Sequence, residues 1–409
     1  MIASILGKKP VQVALVAAAY FALARLGLSL AFATTQVTAV WPPAGLALAA
    51  LVLAGPWAAL GVFAGAFAAN AMAHESWSVA AGIASGNTLA GLAGWWLLKR
   101  IGNPDPDFSE TPQVLVLAMI AVTAPLLSAS GGVACLRLGG LMPASALGSV
   151  WRLWWVGDCL GTLLVTPLIL TWRTPPKPDW RSWKTSEAGL LSLIVVATGV
   201  LVFCGAFEKS GIYFRAYAVF PLLIWAALRF GSRATVATAV GISAFAVWGT
   251  IHGRGPFGLS APDQGLLNLD AFIGVTGITS LILGAATTER REAERRLSAA
   301  HGELERKVEA RTAELASANE DLGRKHEEIE ASRRFLETVV GHLPVALVVK
   351  SAKEADFGTV QLWNPAAERI FGTRREQVIG RTAADFLEPD EGARVMSTDK
   401  EVASNGWLK

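Results

Sequence analysis

Charge is scarce in this chain: Asp, Glu, Lys and Arg make up 17% of its 409 residues, where a soluble domain carries about 25%. The shortage is uneven. Between Val11 and Thr288 charges are sparse and apolar runs recur, whereas from Glu289 to Arg334 nearly every second residue is charged or polar. One aqueous globule is therefore excluded, and at least two domains and a linker are implied. Cysteine is rarer still. Cys135, Cys159 and Cys204 stand singly among apolar residues, with no paired spacing and no neighbouring His, which excludes a disulfide framework and a cysteine metal site. The net charge is only +3, and its basic residues fall in short loops or alternate with Glu, so no nucleic-acid partner is expected. The apolar stretch after Lys8 and Lys9 is longer than a signal-peptide core and more such stretches follow, which predicts a retained first span.

Long apolar runs are what the chain has in abundance. A bilayer's hydrocarbon core needs about 20 mostly apolar helical residues, and about ten segments approach that length. They lie at 10–32, 38–54, 57–73, 78–98, 113–133, 148–171, 187–207, 214–230, 233–251 and 268–288. With the N terminus in the cytoplasm, Lys99, Arg100, Arg173, Lys177, Arg181, Lys184, Arg229 and Arg233 fall inside. Arg137, Lys209 and Arg254 fall outside, with Arg152 and Arg215 near helix ends on that side. The excess lies inside, as the positive-inside rule expects, and an even number of spans leaves both termini cytoplasmic.

Small residues recur at helical spacing in Gly61 and Gly65, Ala64 and Ala68, and Gly82 and Gly86, a pattern that lets helix backbones approach in lipid. Four polar residues, Arg25, Asn70, Asn87 and Asp158, sit within the apolar segments. Such groups usually face a bundle interior. They form a candidate intramembrane cluster for sensing or packing, and two readings stand: a site that binds a ligand, or a satisfied pair such as Arg25 with Asp158 that fixes helix register. Trp41, Trp57, Trp77, Trp172, Trp180 and Trp183 fall near segment ends, where an aromatic belt belongs.

Four blocks then occur in order: WPPAGLALAALVLAGPWAALGVFAGAFAAN, ASGNTLAGLAGWWLLKR, WWVGDCLGTLLVTPLILTW and FPLLIWAALRFG. Together they resemble the membrane-associated sensor domain of the MASE family, first class, over roughly residues 10–288. The resemblance implies a multi-helix sensory input region of the kind found at the front of bacterial histidine kinases and cyclic-di-GMP enzymes. Trp41, Pro42, Asn87, Trp155, Gly157 and Asp158 carry over as signature positions without an assigned ligand.

From Thr287 to Val340 no proline occurs and Glu, Arg, Ala and Leu dominate, which predicts helix. His301, Val308, Leu315, Leu322, Ile329 and Leu336 form one seven-residue series. Its companion, Leu297, Leu304, Arg311, Ala318, Lys325 and Ser332, is half polar. One good seam beside a poor one predicts a parallel two-stranded coil of modest stability, and hence a homodimer. Neither His301 nor His326 is followed by the proline of a phosphoacceptor box, and no ATP-binding glycine motif appears.

After Gly341, two strands are predicted at Ala346–Lys350 and Thr359–Trp363 around a turn at Asp356–Gly358. Asn364 reads as a helix N-cap with Pro365 at the first helical position and Gly372 as the C-cap. A turn at Glu376–Ile379 stops at Gly380, and Pro389 opens a helix to about Ser404. The order, and NPAAERIFG in particular, resembles the front half of a PAS domain, with the last three strands missing. No ligand-binding residue carries over, and no cofactor and no metal is expected.

The fold class expected is an all-α polytopic membrane bundle of about ten transmembrane helices, then a coiled-coil helix and a partial α+β PAS domain. The boundaries expected are 1–288, 289–340 and 341–409. The function expected is the input region of a sensor in the bacterial inner membrane, with the lipid bilayer, a second copy of the chain, and an unknown small-molecule or membrane-protein stimulus as partners. A histidine kinase of a two-component system is the first parent implied and a diguanylate cyclase or phosphodiesterase the second; the sequence shows neither the ATP-binding motifs of the one nor the signature loop of the other. A transporter or partner-docking bundle is the alternative of another class.

Overall fold

The computed structural model describes residues 9–30, 38–73, 76–173, 183–205, 215–258 and 262–405. It divides into two compact units, Met1–Ser298 and Ala299–Lys409. In the first unit the apolar segments become helices α1 Lys9–Ser29, α2 Pro42–Ala54, α3 Ala58–Ala71, α4 Trp77–Ile101, α5 Thr111–Thr123 and α6 Pro125–Leu138. They continue as α7 Leu147–Thr171, α8 Trp183–Phe203, α9 Phe220–Phe230, α10 Ser232–Ile251 and the beginning of α11 Pro262–His342. The predicted segment at 113–133 is thus two helices, because Pro125 has no N–H to continue the ladder of α5.

The chain is membrane-embedded and multi-pass. Among the described residues, six stretches are long and apolar enough to cross a bilayer by themselves: Lys9–Ser29, Thr111–Leu138, Ala144–Thr171, Thr185–Phe203, Ser232–Gly258 and the apolar beginning of Gln264–His342. Helices α2, α3 and α9 are apolar but shorter. Helix α4 has 25 residues but carries Ser85, Asn87 and Thr88 at its middle. The ten predicted segments therefore correspond to helices of unequal length. Trp57, Trp77, Trp172 and Trp183 lie exposed at helix ends. Lys8, Lys177, Trp180, Arg181 and Lys209 lie outside the described residues, as does the side chain of Lys184.

Small residues set the helix contacts. A Cβ on Gly61 would stand 2.5 Å from the Val13 carbonyl oxygen, and one on Gly65 would stand 2.6 Å from that of Ala17. Helices α1 and α3 are therefore packed backbone to backbone along that stripe. Between α4 and α6, Gly82 makes room for the Cys135 side chain, while a Cβ on Gly86 would meet the Ser128 backbone at an ordinary 3.6 Å. Ala64, in contrast, is exposed and Ala68 half-buried, so that predicted pair does not form a buried contact. Larger apolar side chains fill the remainder: Leu160, Leu223, Ile242, Leu269 and Ile273 bring α7, α9, α10 and α11 into one core.

In the second unit, α11 continues from Ala299 to His342. Val308, Leu315, Leu322, Ile329 and Leu336 are all exposed there, as is Leu304. The segment beyond forms β1 Val348–Lys350 and β2 Val360–Trp363, paired antiparallel with Val348 opposite Trp363 and Val349 opposite Leu362. Three short helices and a longer one follow: α12 Pro365–Phe371, α13 Arg375–Val378, α14 Ala383–Phe386 and α15 Pro389–Asn405. Asn364 caps α12 by accepting from the Ala367 N–H, and Gly372 ends it with φ +71°. Helix α14 was not expected. Its signal is Thr382 followed three residues later by Asp385, a reciprocal capping pair. Val360, Trp363, Ala367 and Val378 form the small core.

Candidate functional site

The site is built where α2 begins. Pro42 stands in the first turn of α2 and Trp41 at its N-cap, and the Trp41 N–H donates to the Gly157 carbonyl at 2.9 Å. Glycine at 161 is required for this approach, and glycine at 157 eases it. A Cβ on Gly161 would fall 1.9 Å from the Trp41 carbonyl oxygen, and one on Gly157 would fall 3.1 Å from that of Thr38. One turn further on, the Thr166 hydroxyl donates to the Gly45 carbonyl at 3.0 Å. These contacts fix α7 against α2 and set the position of Asp158, which lies between the two glycines in sequence.

Asp158 is 3% exposed. The Ser128 hydroxyl of α6 lies against its Oδ2 and also 3.0 Å from the Pro125 carbonyl. Asp158 Oδ1 has no hydrogen-bond partner, and the Trp154 side chain lies near the carboxyl group. Across the same space, the Asn87 amide of α4 donates to the Tyr20 hydroxyl of α1 at 3.0 Å, while Asn87 Oδ1 is buried without a partner. Tyr20, Trp41, Asn87, Ser128, Asp158 and Thr162 line one small cavity. It offers a water about 20 Å³, where one water needs about 10–15 Å³. The space has room for a water or an ion.

The predicted cluster is thus divided. Asn87 and Asp158 share the cavity; Arg25 and Asn70 are elsewhere. Arg25 is exposed, because the face of α1 that packs inward is Tyr20, Ala24 and Gly27 and the residue after Ala24 is rotated away by about 100°. The expected Arg25–Asp158 pair does not form. Asn70 turns its amide back to the Ala66 carbonyl at 2.8 Å, one turn earlier in its own helix. Of the signature positions, Trp41, Pro42 and Gly157 make the α2–α7 junction. Trp155 donates its indole N–H to the Val122 carbonyl at 2.9 Å, near the Pro125 break, and stacks on Trp151 at 5.9 Å. The seam positions Val308, Leu315, Leu322, Ile329 and Leu336 belong to the second unit and take no part here.

Three buried residues escaped the sequence reading. Tyr20 had a signal: the chain has three tyrosines, and this one stands mid-helix, away from the ends where an aromatic belt places them. Ser128 carried none, since serine is common in apolar helices. Asp270, on α11, is a second buried carboxyl, 8% exposed with an unpartnered Oδ1, and the rule that singled out Asp158 applies to it equally.

A second polar group lies at the other end of α5. The Glu289 carboxylate of α11 accepts from the Thr111 N–H and from the Thr111 hydroxyl, each at 2.9 Å. The Arg291 guanidinium donates to the Leu228 carbonyl and, at 3.4 Å, to that of Arg229, in the last turn of α9. An anion at a helix start and a cation at a helix end both complement the peptide dipoles. Ser232 joins Phe108 and Thr288 at the same level. Where α11 passes this level it is thus tied to both α5 and α9.

Two family models match the chain. The model of MASE1 matches residues 12–291, more than half of the sequence, and that of the PAS fold matches residues 340–406. No curated protein and no solved structure matches it.

Proposed function

The chain belongs to the MASE1 family and is a membrane signal-sensing input region, and from that premise we propose that it feeds a sensor histidine kinase of a two-component system in the bacterial inner membrane. The stimulus acts on the cavity between Tyr20, Asn87, Ser128 and Asp158. Its effect passes along α5, from the Pro125 break beside Ser128 to Thr111, and so to Glu289 on α11. Helix α11 carries it, as one strand of a parallel homodimeric coil, to the PAS segment and then to an output domain. A diguanylate cyclase or phosphodiesterase is the second reading of that output.

The observation that carries this reading is the buried carboxyl of Asp158, 3% exposed among helices with no basic side chain paired to it among the described residues. Such a group is costly in a membrane interior and is retained where it has a task. An effector need only bind one bundle conformation better than the other to shift the output. The exposed seam from Val308 to Leu336 supports the dimer. The loop charges support cytoplasmic termini. The small size of the cavity speaks against a transport path.

The test is the full-length protein in its own membrane, with output followed against stimulus. Asp158→Ala, stably inserted, should abolish or strongly flatten the dose response; an unchanged response would remove the site. A reporter fused at Lys307 should be cytoplasmic. A periplasmic reporter would reverse the direction of signalling and end the proposal.

A further inference from the structure

We infer that the cavity between Asn87 and Asp158 holds one small monovalent cation of the sodium class. The inference rests on the reading of this cavity as the sensory site and names its occupant.

Two acceptors at the cavity stand without a hydrogen-bond donor. Asn87 Oδ1 and Asp158 Oδ1 are both buried and unpartnered. The Asn87 amide is directed to Tyr20. The single Ser128 proton lies between two acceptors, Pro125 O and Asp158 Oδ2. Buried polar atoms are ordinarily satisfied, so each orphan needs a partner from outside the chain. A water could supply two donors, but it is neutral. It would leave the carboxylate charge uncompensated, and an unpaired buried charge costs several kcal/mol. Arg25, the one basic residue expected nearby, is on the exposed face of α1. A cation would meet both orphan oxygens at once and balance the carboxylate.

Its identity follows from the donor set and the room. Asp158, Asn87, Ser128, Tyr20 and Thr162 offer only oxygen at this cavity, which suits hard cations and disfavours metals that seek nitrogen or sulfur. With one carboxylate, a monovalent ion gives neutrality. Calcium takes about six to eight oxygens, and magnesium keeps several waters, for which about 20 Å³ leaves no space.

The experiment uses the full chain in lipid nanodiscs, unfolded by heat at fixed ionic strength in sodium, lithium, potassium or choline chloride. Sodium should raise the midpoint by a few degrees over choline in a saturable way, since an ion that binds the folded state stabilises it by mass action. Asp158→Asn and Asn87→Ala should each remove that rise, and sodium NMR line broadening should disappear with it. Equal midpoints for the unaltered chain in sodium and choline would overturn the inference and leave a proton as the charge partner. Equal shifts with all three alkali ions, retained in both variants, would overturn it as a general salt effect. Because binding is read without the output, the two readings fail separately. A sodium shift with an unaffected Asp158→Asn dose response would sink the sensory role alone; no shift with an altered response would sink the cation alone.

Discussion

Glu289 holds the start of α5 through Thr111, accepting both its backbone N–H and its hydroxyl at 2.9 Å. The carboxylate belongs to α11, the helix that leaves the bundle, and the residue it holds begins the helix that ends beside the Asp158 cavity. A movement of α5 along its axis therefore changes a charged contact on α11. This makes Glu289 the point at which the proposed signal would cross between helices.

Replacing Glu289 should therefore alter both stability and resting output. A helix cap contributes about 0.5–2 kcal/mol, and a shift of about 1.4 kcal/mol changes a two-state equilibrium roughly tenfold. Glu289→Ala should lower the thermal midpoint of the solubilised protein and move the unstimulated output of the full-length sensor several-fold. Glu289→Gln, which keeps one acceptor, should fall between. A variant with a lowered midpoint and normal output would show a cap without a signalling role.

The α2–α7 junction makes a second prediction, in which two glycines of one helix behave oppositely. At Gly161 a Cβ would collide with the Trp41 carbonyl at 1.9 Å, whereas at Gly148 nothing lies within 4 Å. Gly161→Ala should destabilise by about 1–3 kcal/mol as the backbones are forced apart. Gly148→Ala should be neutral, or stabilising by up to about 1 kcal/mol through helix propensity. Thermal unfolding in detergent distinguishes the two. Equal midpoints would mean that α2 and α7 do not approach as closely as described.

What the sequence disclosed and what it hid follow from one property of apolar helices. In α1 nearly every position is apolar, so no polar stripe marks the face toward lipid and helix phase has no signature. Arg25 could be recognised as intramembrane but not as outward-facing, and Tyr20 could not be seen as its inward counterpart. Asp158 was legible because a carboxylate in an apolar run is costly wherever it points. Its partner Ser128 was not, since that contact depends on which helices become neighbours. The segment after Gly341 was legible almost turn by turn, because Asn364, Gly372, Gly380 and Pro389 each impose a local backbone conformation. The helical course of α11 was legible because no proline interrupts it and helix-favouring residues dominate, and its few apolar positions, spaced by seven, are exposed.

That seam yields a third prediction. Leu315 is 70% exposed, as is Leu322, and the proposed parallel homodimer would cover this stripe with a second copy. In a background with Cys135, Cys159 and Cys204 replaced by Ser, Leu315→Cys and Leu322→Cys should form disulfide-linked dimers in membranes. Ser317→Cys, on the opposite helix face, should remain monomeric. Linkage at all three positions would indicate random collision, and linkage at none would leave α11 a solitary helix.

The last prediction concerns Asn364, whose side chain makes four hydrogen bonds within the second unit. Its amide donates to the Val340 carbonyl at 3.2 Å and to that of Val345 at 3.0 Å. Its carbonyl oxygen accepts from the Leu347 N–H and the Ala367 N–H, both at 2.9 Å. The residue is 1% exposed, so it ties the end of α11, the entry to β1 and the start of α12 through one buried group. A cap alone would tolerate Asp, which is as good an N-cap as Asn. The double donation to Val340 and Val345 would not, because a carboxylate has no proton to give and would face two carbonyl oxygens. Asn364→Asp should therefore be at least as damaging as Asn364→Ala, each costing a few kcal/mol by leaving buried groups unsatisfied. Amide hydrogen exchange at Leu347 and Ala367 reads the effect directly: exchange should accelerate strongly in both variants. If Asn364→Asp retained the protection of the unaltered chain, the residue would be a helix cap only, and α11 would reach the PAS segment without this link.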